Sequence, residues 1–397
     1  MITMTPTTLP RKVRCSHGLG LDSAALTFRW LNEPAIRDFD LSDLTLTVAM
    51  TGDEYDSTRR MMERHLLPRL REQAVRLVQV CRASQAGGYV VLDDSRAPRR
   101  MIMRGPWALS DEMRAGGTLP QLKSHLCSIR AKAEVLDWWA EDEYGEEPVR
   151  HVLGYAADEG PRIAKDLKRA TPKRVPVYPL HSWGWDRDRC DHYIRSLIGE
   201  SWPRSACGYC CFGFNKRNLP DLIARWRAEP EVAAQALYLE HTALALNERM
   251  RLFGSVSAHQ VARDHQLVEA QEIYRARLDA ATWATYDVRR VLFAGEAGPE
   301  SKGPVWRSVR RESTGTRAGM VAELAQRAAA SGARVEFDPN GIARAVVLPR
   351  EPGRFPTTER TWALAPVGAK DKQRGTFETH WKRHAARRTG RGGRGYG

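Results

Sequence analysis

The chain of 397 residues has no apolar run that approaches the roughly 18 residues of a membrane-spanning helix. Its first residues, MITMTPTTLPRKV, also lack the apolar middle of a secretory signal. These two absences predict a soluble, cytoplasmic protein with no membrane partner. Hydrophobic residues make up 42% of the chain, which is sufficient for a core. The length allows two domains, or one large α/β domain with an appendage.

Cysteine is scarce, with seven in the chain and none after Cys211. Seven cysteines without a signal argue against a disulfide framework, because clustered cysteines in a reducing compartment more often bind metal or perform redox chemistry. We predict that four of them hold an iron–sulfur cluster, such as [4Fe-4S], or a zinc ion, with a redox-active CxxC pair and inert thiols as the alternatives. The candidate metal ligands are Cys127, Cys190, Cys207 and Cys210.

Negative charge is in deficit, since 62 Lys and Arg face 48 Asp and Glu and the net charge is +14. This balance favours polyanionic partners, either nucleotides or nucleic acids. Residues 370–397 contain nine Lys and Arg against Asp371 and Glu378, and the chain ends in the low-complexity sequence RRTGRGGRGYG. We expect a basic, disordered tail over 370–397 that could bind DNA or RNA.

The pattern of predicted elements divides the chain into four segments. The first alternates strands and helices in the manner of a parallel α/β sheet, and its clearest strand is the apolar run 44–50. The second has apolar residues at helical spacing. The third begins with a linker over 296–311 and continues as a small α/β piece with a hairpin. The segments are 1–217 (α/β), 218–295 (helical), 296–369 (linker and small α/β piece) and 370–397 (basic tail).

A short glycine-containing turn, Ser16-His17-Gly18-Leu19-Gly20-Leu21-Asp22-Ser23, lies between a predicted strand and a predicted helix. Such a turn leaves backbone N–H groups unpaired at the positive end of the helix dipole, which suits a phosphate group. No Gly-Lys-Ser/Thr follows it, and the third glycine of the dinucleotide fingerprint is replaced by Ser23. By itself, the turn is equally consistent with a phosphate site and with an ordinary strand–helix connection.

Acidic residues follow two further predicted strands. Ligands in open parallel sheets bind beyond the carboxyl ends of the strands, so these residues are expected to face the glycine turn. Asp53 and Glu54 could hold Mg²⁺ or a ribose, and Arg162 could pair with a phosphate. Ordinary polar turns or helix N-termini explain the carboxylates equally well, but they leave Arg162 unexplained.

Taken in order, these motifs resemble the PP-loop ATP-pyrophosphatase superfamily, and within it the phosphoadenosine phosphosulfate (PAPS) reductase-like family with its phage and prophage members. Gly18–Ser23 resembles the family's Ser-Gly-Gly-x-Asp-Ser loop, and Thr51–Glu54 resembles its Asp-Thr-Gly-x-Glu strand end. The resemblance covers residues 12–215. Its remaining elements are Cys127-Ser128 with Lys132, Asp158–Arg162, Tyr178-Pro179-Leu180 and Ser205–Cys210.

The resemblance implies a Rossmann-like, parallel-sheet adenine nucleotide α-hydrolase fold that binds ATP or PAPS, with Mg²⁺. It implies an ATP pyrophosphatase that forms AMP and pyrophosphate and activates a substrate for sulfur transfer or nucleic-acid modification. The cysteine set is similar to that of PP-loop enzymes of DNA phosphorothioation or tRNA thiolation, which hold an iron–sulfur cluster. The alternatives are a sulfonucleotide reductase-like enzyme and a nucleic-acid-binding accessory protein that uses the fold as a nucleotide sensor.

Two departures from the family pattern bear on activity. Leu19 replaces a loop glycine and Gly18 a loop serine, and the chain lacks the C-terminal cysteine motif of the reductases, which disfavours a thiol-dependent reductase. The predicted catalytic residues are Asp22, Ser23 and Arg162. The predicted nucleotide-binding residues are Ser16, Gly18, Leu19, Gly20, Asp22, Ser23, Thr51, Gly52, Asp53, Glu54, Asp158 and Glu159.

Overall fold

A computed structural model describes residues 9–122, 125–254 and 256–389, and for 386–389 it describes the backbone alone. The described chain is an α/β protein that divides into two units. Unit 1 comprises the residues up to Glu112 together with Gln121–Cys210, and unit 2 comprises Met113–Pro120 and the residues from Cys211 onward. None of the described helices is long and apolar enough to span a membrane.

Unit 1 is built on a mixed, largely parallel sheet. Its strands are β1 (Val13–Ser16), β2 (Leu44–Met50), β3 (Arg76–Ser84), β4 (Gly87–Ser95), β5 (Val149–Leu153) and β6 (Arg174–Val177). They lie in the order β4-β3-β2-β1-β5-β6, and every neighbouring pair is parallel except β3 and β4. All seven residues of β2 are buried, as expected for a strand covered on both faces.

Helices cover this sheet. α1 buries Leu26 and Phe28 in the core of unit 1, and π-helical turns at Met62–Leu66 and Ile129–Ala133 join α2 to α3 and α5 to α6. The helices are α1 (Leu21–Asn32), α2 (Asp56–Met61), α3 (Leu67–Glu72), α4 (Leu109–Gly116, which continues into unit 2), α5 (Leu126–Ser128), α6 (Glu134–Tyr144), α7 (Gly160–Leu167), α8 (Pro179–Ser182) and α9 (Arg187–Ile198).

Unit 2 contains an antiparallel sheet preceded by four helices. Its strands are β7 (Trp283–Gly295), β8 (Gly298–Gly315), β9 (Val335–Phe337), β10 (Ala343–Leu348) and β11 (Thr357–Pro366), in the order β8-β7-β11-β10-β9. Its helices are α10 (Leu219–Ala228), α11 (Pro230–Leu246), α12 (Ala258–Asp264), α13 (Val268–Ala280), α14 (Arg317–Ala330) and α15 (Phe377–Thr389).

The predicted linker over 296–311 is wrong, because most of these residues belong to β8, which pairs with β7. β8 is the edge strand of its sheet and much of it is exposed, so its Gly, Pro and charged residues resemble those of a linker. The predicted helical segment 218–295 likewise ends before β7, which is a strand.

The tail was expected to be disordered, but its described part contains helix α15. Phe377 is fully buried, and Arg289 of β7 bonds the carboxylate of Glu378 and lies 5.3 Å from the ring centres of both Phe377 and Trp381. The buried aromatic ring and the ion pair help to hold the helix on the sheet, together with ring contacts from Phe293 and Trp306 to His380. Residues 390–397 of the predicted tail lie outside the described residues.

Candidate functional site

The strand order of unit 1 places a topological switch point, the position of the crevice in open α/β sheets, at the carboxyl end of β1. This strand pairs with β2 on one side and with β5 on the other, so the loops that follow β1 and β5 lead away from each other. Ligands of open α/β sheets bind at such a switch point. Gly154 follows β5, and a Cβ built on it would lie 3.3 Å from the backbone nitrogen of Ser23. Glycine at 154 therefore allows the start of the loop after β5 to lie close to the first turn of α1.

The loop after β1 has the backbone conformation of a glycine turn, although Leu19 stands at the critical position. Leu19 has a φ of 62°, in the left-handed region, which costs an ordinary residue about 1–2 kcal/mol. Its N–H donates to Nδ1 of His17 at 3.2 Å, and the indole of Trp202 donates to its carbonyl at 3.0 Å. Its side chain is only 2% exposed. These contacts and burial offset the strain of the turn.

Helix α1 begins at this loop without a capping side chain. Gly20 occupies the N-cap in extended conformation and provides no side-chain acceptor, while the hydroxyl of Ser23 donates to the carbonyl of Gly20 at 3.0 Å. The first N–H groups of α1 and the helix dipole therefore favour an anion at this end. A Cβ built on Gly18 meets no atom within 4 Å, so the loop faces open space there.

One arginine that the sequence reasoning missed stands at the mouth of the crevice. Arg187, the first residue of α9, donates to the carboxylate of Asp22 at 2.9 and 3.4 Å. This bond, with the negative charges of Asp22, Glu159 and Asp158, raises the pKa of Arg187. The sequence contains only a weak indication of this role, namely that Arg187 is the first residue of the stretch that follows the Tyr-Pro-Leu motif.

Arg162, by contrast, is held by its own loop. Its guanidinium bonds the carboxylate of Glu159 and lies 4.4 Å from the ring centre of Tyr155. Glu159 also accepts the N–H of Ala156 at 3.1 Å. The side chain of Arg162 is 61% exposed. The structure therefore brings Arg187, and not Arg162, to Asp22.

The two carboxylates that follow β2 accept hydrogen bonds from other groups of the protein. Glu54 accepts the N–H and hydroxyl of Thr51 at 3.0 and 2.7 Å and the N–H of Gly52 at 3.1 Å. Asp53 accepts the N–H of Ser110 at 2.7 Å and the hydroxyl of Tyr209 at 2.8 Å, and burial raises its pKa. Both side chains stabilise a turn, which agrees with the polar-turn alternative.

The segment 202–209 connects the ends of β1 and β2. Besides the bond from Trp202 to Leu19, Ser205 lies on Gly20, where a Cβ would be 3.1 Å from the Cβ of Ser205. Cys207 pairs with Glu54 in a β-bridge, and the N–H of residue 208 donates to the carbonyl of residue 53 at 2.9 Å. The Ser-Ala-Cys-x-x-Cys motif thus supports the loop structurally.

Three of the four predicted metal ligands are neighbours. The thiols of Cys127, Cys207 and Cys210 affect one another's ionisation. A hydrogen bond with Cys210, followed by burial, raises the pKa of Cys207 well above its ordinary value. A raised pKa disfavours the thiolate form, which is the reactive form of a redox pair.

The fourth predicted ligand, Cys190, lies elsewhere. It is fully buried in the core of unit 1, burial raises its pKa to about 12, and its charged neighbours are Asp22, Asp186 and Arg187. In the part of the chain that the structure describes, no group of three or more His, Cys, Asp or Glu residues is arranged to hold a metal ion. Cys190 is therefore a core residue, and the binding of a metal or cluster by the cysteines stays a prediction.

Ser16 ends β1 beside a buried polar network that sequence reasoning did not reveal. Its hydroxyl lies 2.7 Å from Nε2 of His151 on β5, and His151 contacts Arg174 on β6. The members of this network are distant in the sequence, so no local motif indicates them.

Comparisons with known proteins add no constraint on the site, since no protein-family model matches the chain and no curated protein shows significant sequence similarity to it.

Substitutions of Leu19 test whether the loop requires a glycine conformation. We expect Leu19→Ala to lower the free energy of unfolding by about 2–4 kcal/mol, because a buried leucine is truncated while the strain remains. Leu19→Gly should cost no more than Leu19→Ala, since glycine relieves the strain. Urea denaturation measures both. At the control position Leu26, inside α1, Gly should cost about 1 kcal/mol more than Ala. If the Gly variant is less stable than the Ala variant at position 19 as well as at position 26, the loop does not require a glycine conformation at Leu19.

A second substitution tests the assignment of Cys190. Cys190→Ala should reduce stability by about 1 kcal/mol, the order of one buried methylene group, and leave the iron and zinc content per chain unchanged. Elemental analysis of anaerobically purified wild type, Cys190→Ala and Cys207→Ala measures this. If Cys190→Ala and Cys207→Ala lose equal amounts of bound metal, Cys190 is a metal ligand after all.

Proposed function

We propose that unit 1 binds ATP in the crevice between the loops after β1 and β5, and that the protein is a PP-loop ATP pyrophosphatase of the PAPS reductase-like family. One observation carries the proposal. At the switch point of the sheet, the residue that replaces the family's loop glycine has a left-handed φ of 62°, and an uncapped helix follows it. Loop conformation and helix position both favour a phosphate ligand.

The charges of the crevice suit a magnesium-bound triphosphate as substrate. Asp22, Asp158 and Glu159 gather around Arg187 and provide carboxylate oxygens, which are the ligands that Mg²⁺ prefers. The guanidinium of Arg187 can exchange the carboxylate of Asp22 for a phosphate, because both accept its paired donors. The N–H groups of α1 would stabilise negative charge on the phosphates.

The proposed reaction is adenylation of an acceptor. An acceptor oxygen attacks the α-phosphorus, the bond between that phosphorus and the bridging oxygen breaks, and pyrophosphate leaves with the electron pair. The adenylated oxygen is then a good leaving group for sulfur transfer or another nucleic-acid modification. A sulfonucleotide reductase-like activity is the alternative. It has less support, because no cysteine follows Cys211 to act as the reductases' nucleophile.

Arg187 provides the test. Arg187→Ala should weaken MgATP binding about ten- to a hundredfold, because a charge-assisted hydrogen bond is lost. Calorimetric titration of the full chain measures the affinity, and release of pyrophosphate with candidate acceptors measures the reaction. Arg195→Ala is the control, since this exposed arginine lies on the same helix and pairs with Asp191. Failure of ATP to bind, with tight binding of PAPS, would favour the reductase-like alternative.

A nucleic-acid-binding role is a second candidate, favoured by helix α15. Residues 370–389 contain seven Lys and Arg against two acidic residues, and one of the acids, Glu378, is bonded to Arg289. Lys382 and Arg383 are exposed on α15. An ordered cationic helix can bind a phosphate backbone without reading the sequence. The role is compatible with an enzyme that modifies nucleic acid and with an accessory protein.

Charge reversal on α15 tests this role. We expect the double variant Lys382→Glu/Arg383→Glu to bind duplex DNA or an RNA hairpin more weakly. The slope of log affinity against log salt should fall by about 2, because two phosphate contacts are lost. Fluorescence anisotropy at several salt concentrations measures both. The control Lys165→Glu/Lys168→Glu, in and directly after α7, changes the net charge equally at exposed positions. Equal weakening by the two double variants would contradict a specific role of α15.

A further inference from the structure

Ser16, the last residue of β1, ends a partly buried chain of hydrogen bonds. Its Oγ lies 2.7 Å from Nε2 of His151, and Nδ1 of His151 accepts a hydrogen bond from Nε of Arg174 at 2.7 Å. Arg174 also donates to both carboxylate oxygens of Asp166, at 2.8 and 2.9 Å. The hydroxyl of Tyr178 donates to the same carboxylate at 2.7 Å. The network joins β1, β5, β6, α7 and the residue that precedes α8.

This chain determines the tautomer of His151. A guanidinium only donates, so Nδ1 of His151 must present its lone pair to Arg174. The proton of the neutral imidazole is therefore on Nε2, and this N–H donates to the hydroxyl oxygen of Ser16. Ser16 accepts from His151, so its own proton must be directed to another partner.

Burial and the neighbouring positive charges favour the neutral form of His151. Its pKa lies well below the ordinary value because of burial first and then the positive charges of Arg14, Arg174 and Arg169. Asp166 pairs with Arg174, and Asp137 lies 4.0 Å from Arg14 and 3.1 Å from Arg169. These carboxylates lie beside the arginines. His151 has no lone pair toward Ser16, so the two residues do not form a nucleophile–base pair.

We propose that His151 is a positioning residue that holds the Ser16 hydroxyl as a hydrogen-bond donor to the phosphates of the bound nucleotide. This role rests on the proposed function of the crevice. Ser16 immediately precedes the loop, at the same end of β1 as the uncapped start of α1. The hydroxyl adds an O–H donor to the backbone N–H donors, and accepting a bond from His151 strengthens it as a donor.

The tautomer can be tested without any ligand. Nitrogen-15 NMR of the labelled full chain should show His151 neutral, with its proton on Nε2, between about pH 5.5 and 8, the range in which an unperturbed histidine changes charge. The imidazole should not become protonated as the pH falls through this range, because its pKa is depressed. A proton on Nδ1, or a titration within the range, would overturn the proposal.

Binding of inorganic pyrophosphate tests the role of the hydroxyl. Ser16→Ala should weaken binding about ten- to a hundredfold, as expected when a hydrogen bond to a charged group is lost, and Ser16→Thr should recover most of the affinity. His151→Leu should also weaken binding, whereas His151→Gln should retain it, because the glutamine amide can place an N–H near the position of Nε2. Ser95→Ala, on the edge strand β4, is the control and should bind as the wild type does.

The outcomes separate the two proposals. If the wild type binds neither pyrophosphate nor ATP, the proposed function of the crevice fails and the role of Ser16 fails with it. If the wild type binds and Ser16→Ala binds equally tightly, the role of Ser16 is overturned while the nucleotide site stands. Circular dichroism checks that each variant folds. If His151→Leu does not fold, the comparison of Ser16→Ala with Ser16→Thr tests the role of the hydroxyl.

Discussion

The pairing of β1 with β2 on one side and with β5 on the other is the constraint on which the rest of unit 1 depends. Because the connections from β1 and β5 lead in opposite directions, the carboxyl ends of these two strands form the switch point at which open α/β sheets bind ligands. The strained backbone at Leu19 and the close approach at Gly154 both serve this arrangement. The strain persists because surrounding contacts fix the loop.

Around the crevice, polar side chains divide into those that build the loops and those that present charge. Glu54 and Asp53 accept bonds from the backbone and from a buried tyrosine, so they maintain the turn after β2. Asp22 and Arg187 face each other across the mouth, where an incoming phosphate could replace one partner. The proposed nucleotide site therefore presents few charged groups, while other carboxylates maintain the turns around it.

Much of unit 1 was predictable from the sequence. The apolar run 44–50 corresponds to β2, since a central parallel strand must be apolar on both faces. The glycine turn and the strand ends also lie where the motifs predicted them. The edge strand β8 and helix α15 were missed, because exposed elements carry polar residues that resemble linkers and tails. Their stability comes from partners distant in the chain.

The sequence by itself determined the local features: the turn after β1, the buried strands, and the grouping of Cys207 with Cys210. Only the tertiary structure decided which side chains meet. It placed Arg187 on Asp22 and Cys190 in the core, and it aligned His151 with Ser16, 135 positions earlier in the chain. The reason is physical. Periodicity and turn chemistry act over a few residues, whereas ion pairs, tautomers and burial depend on strand order.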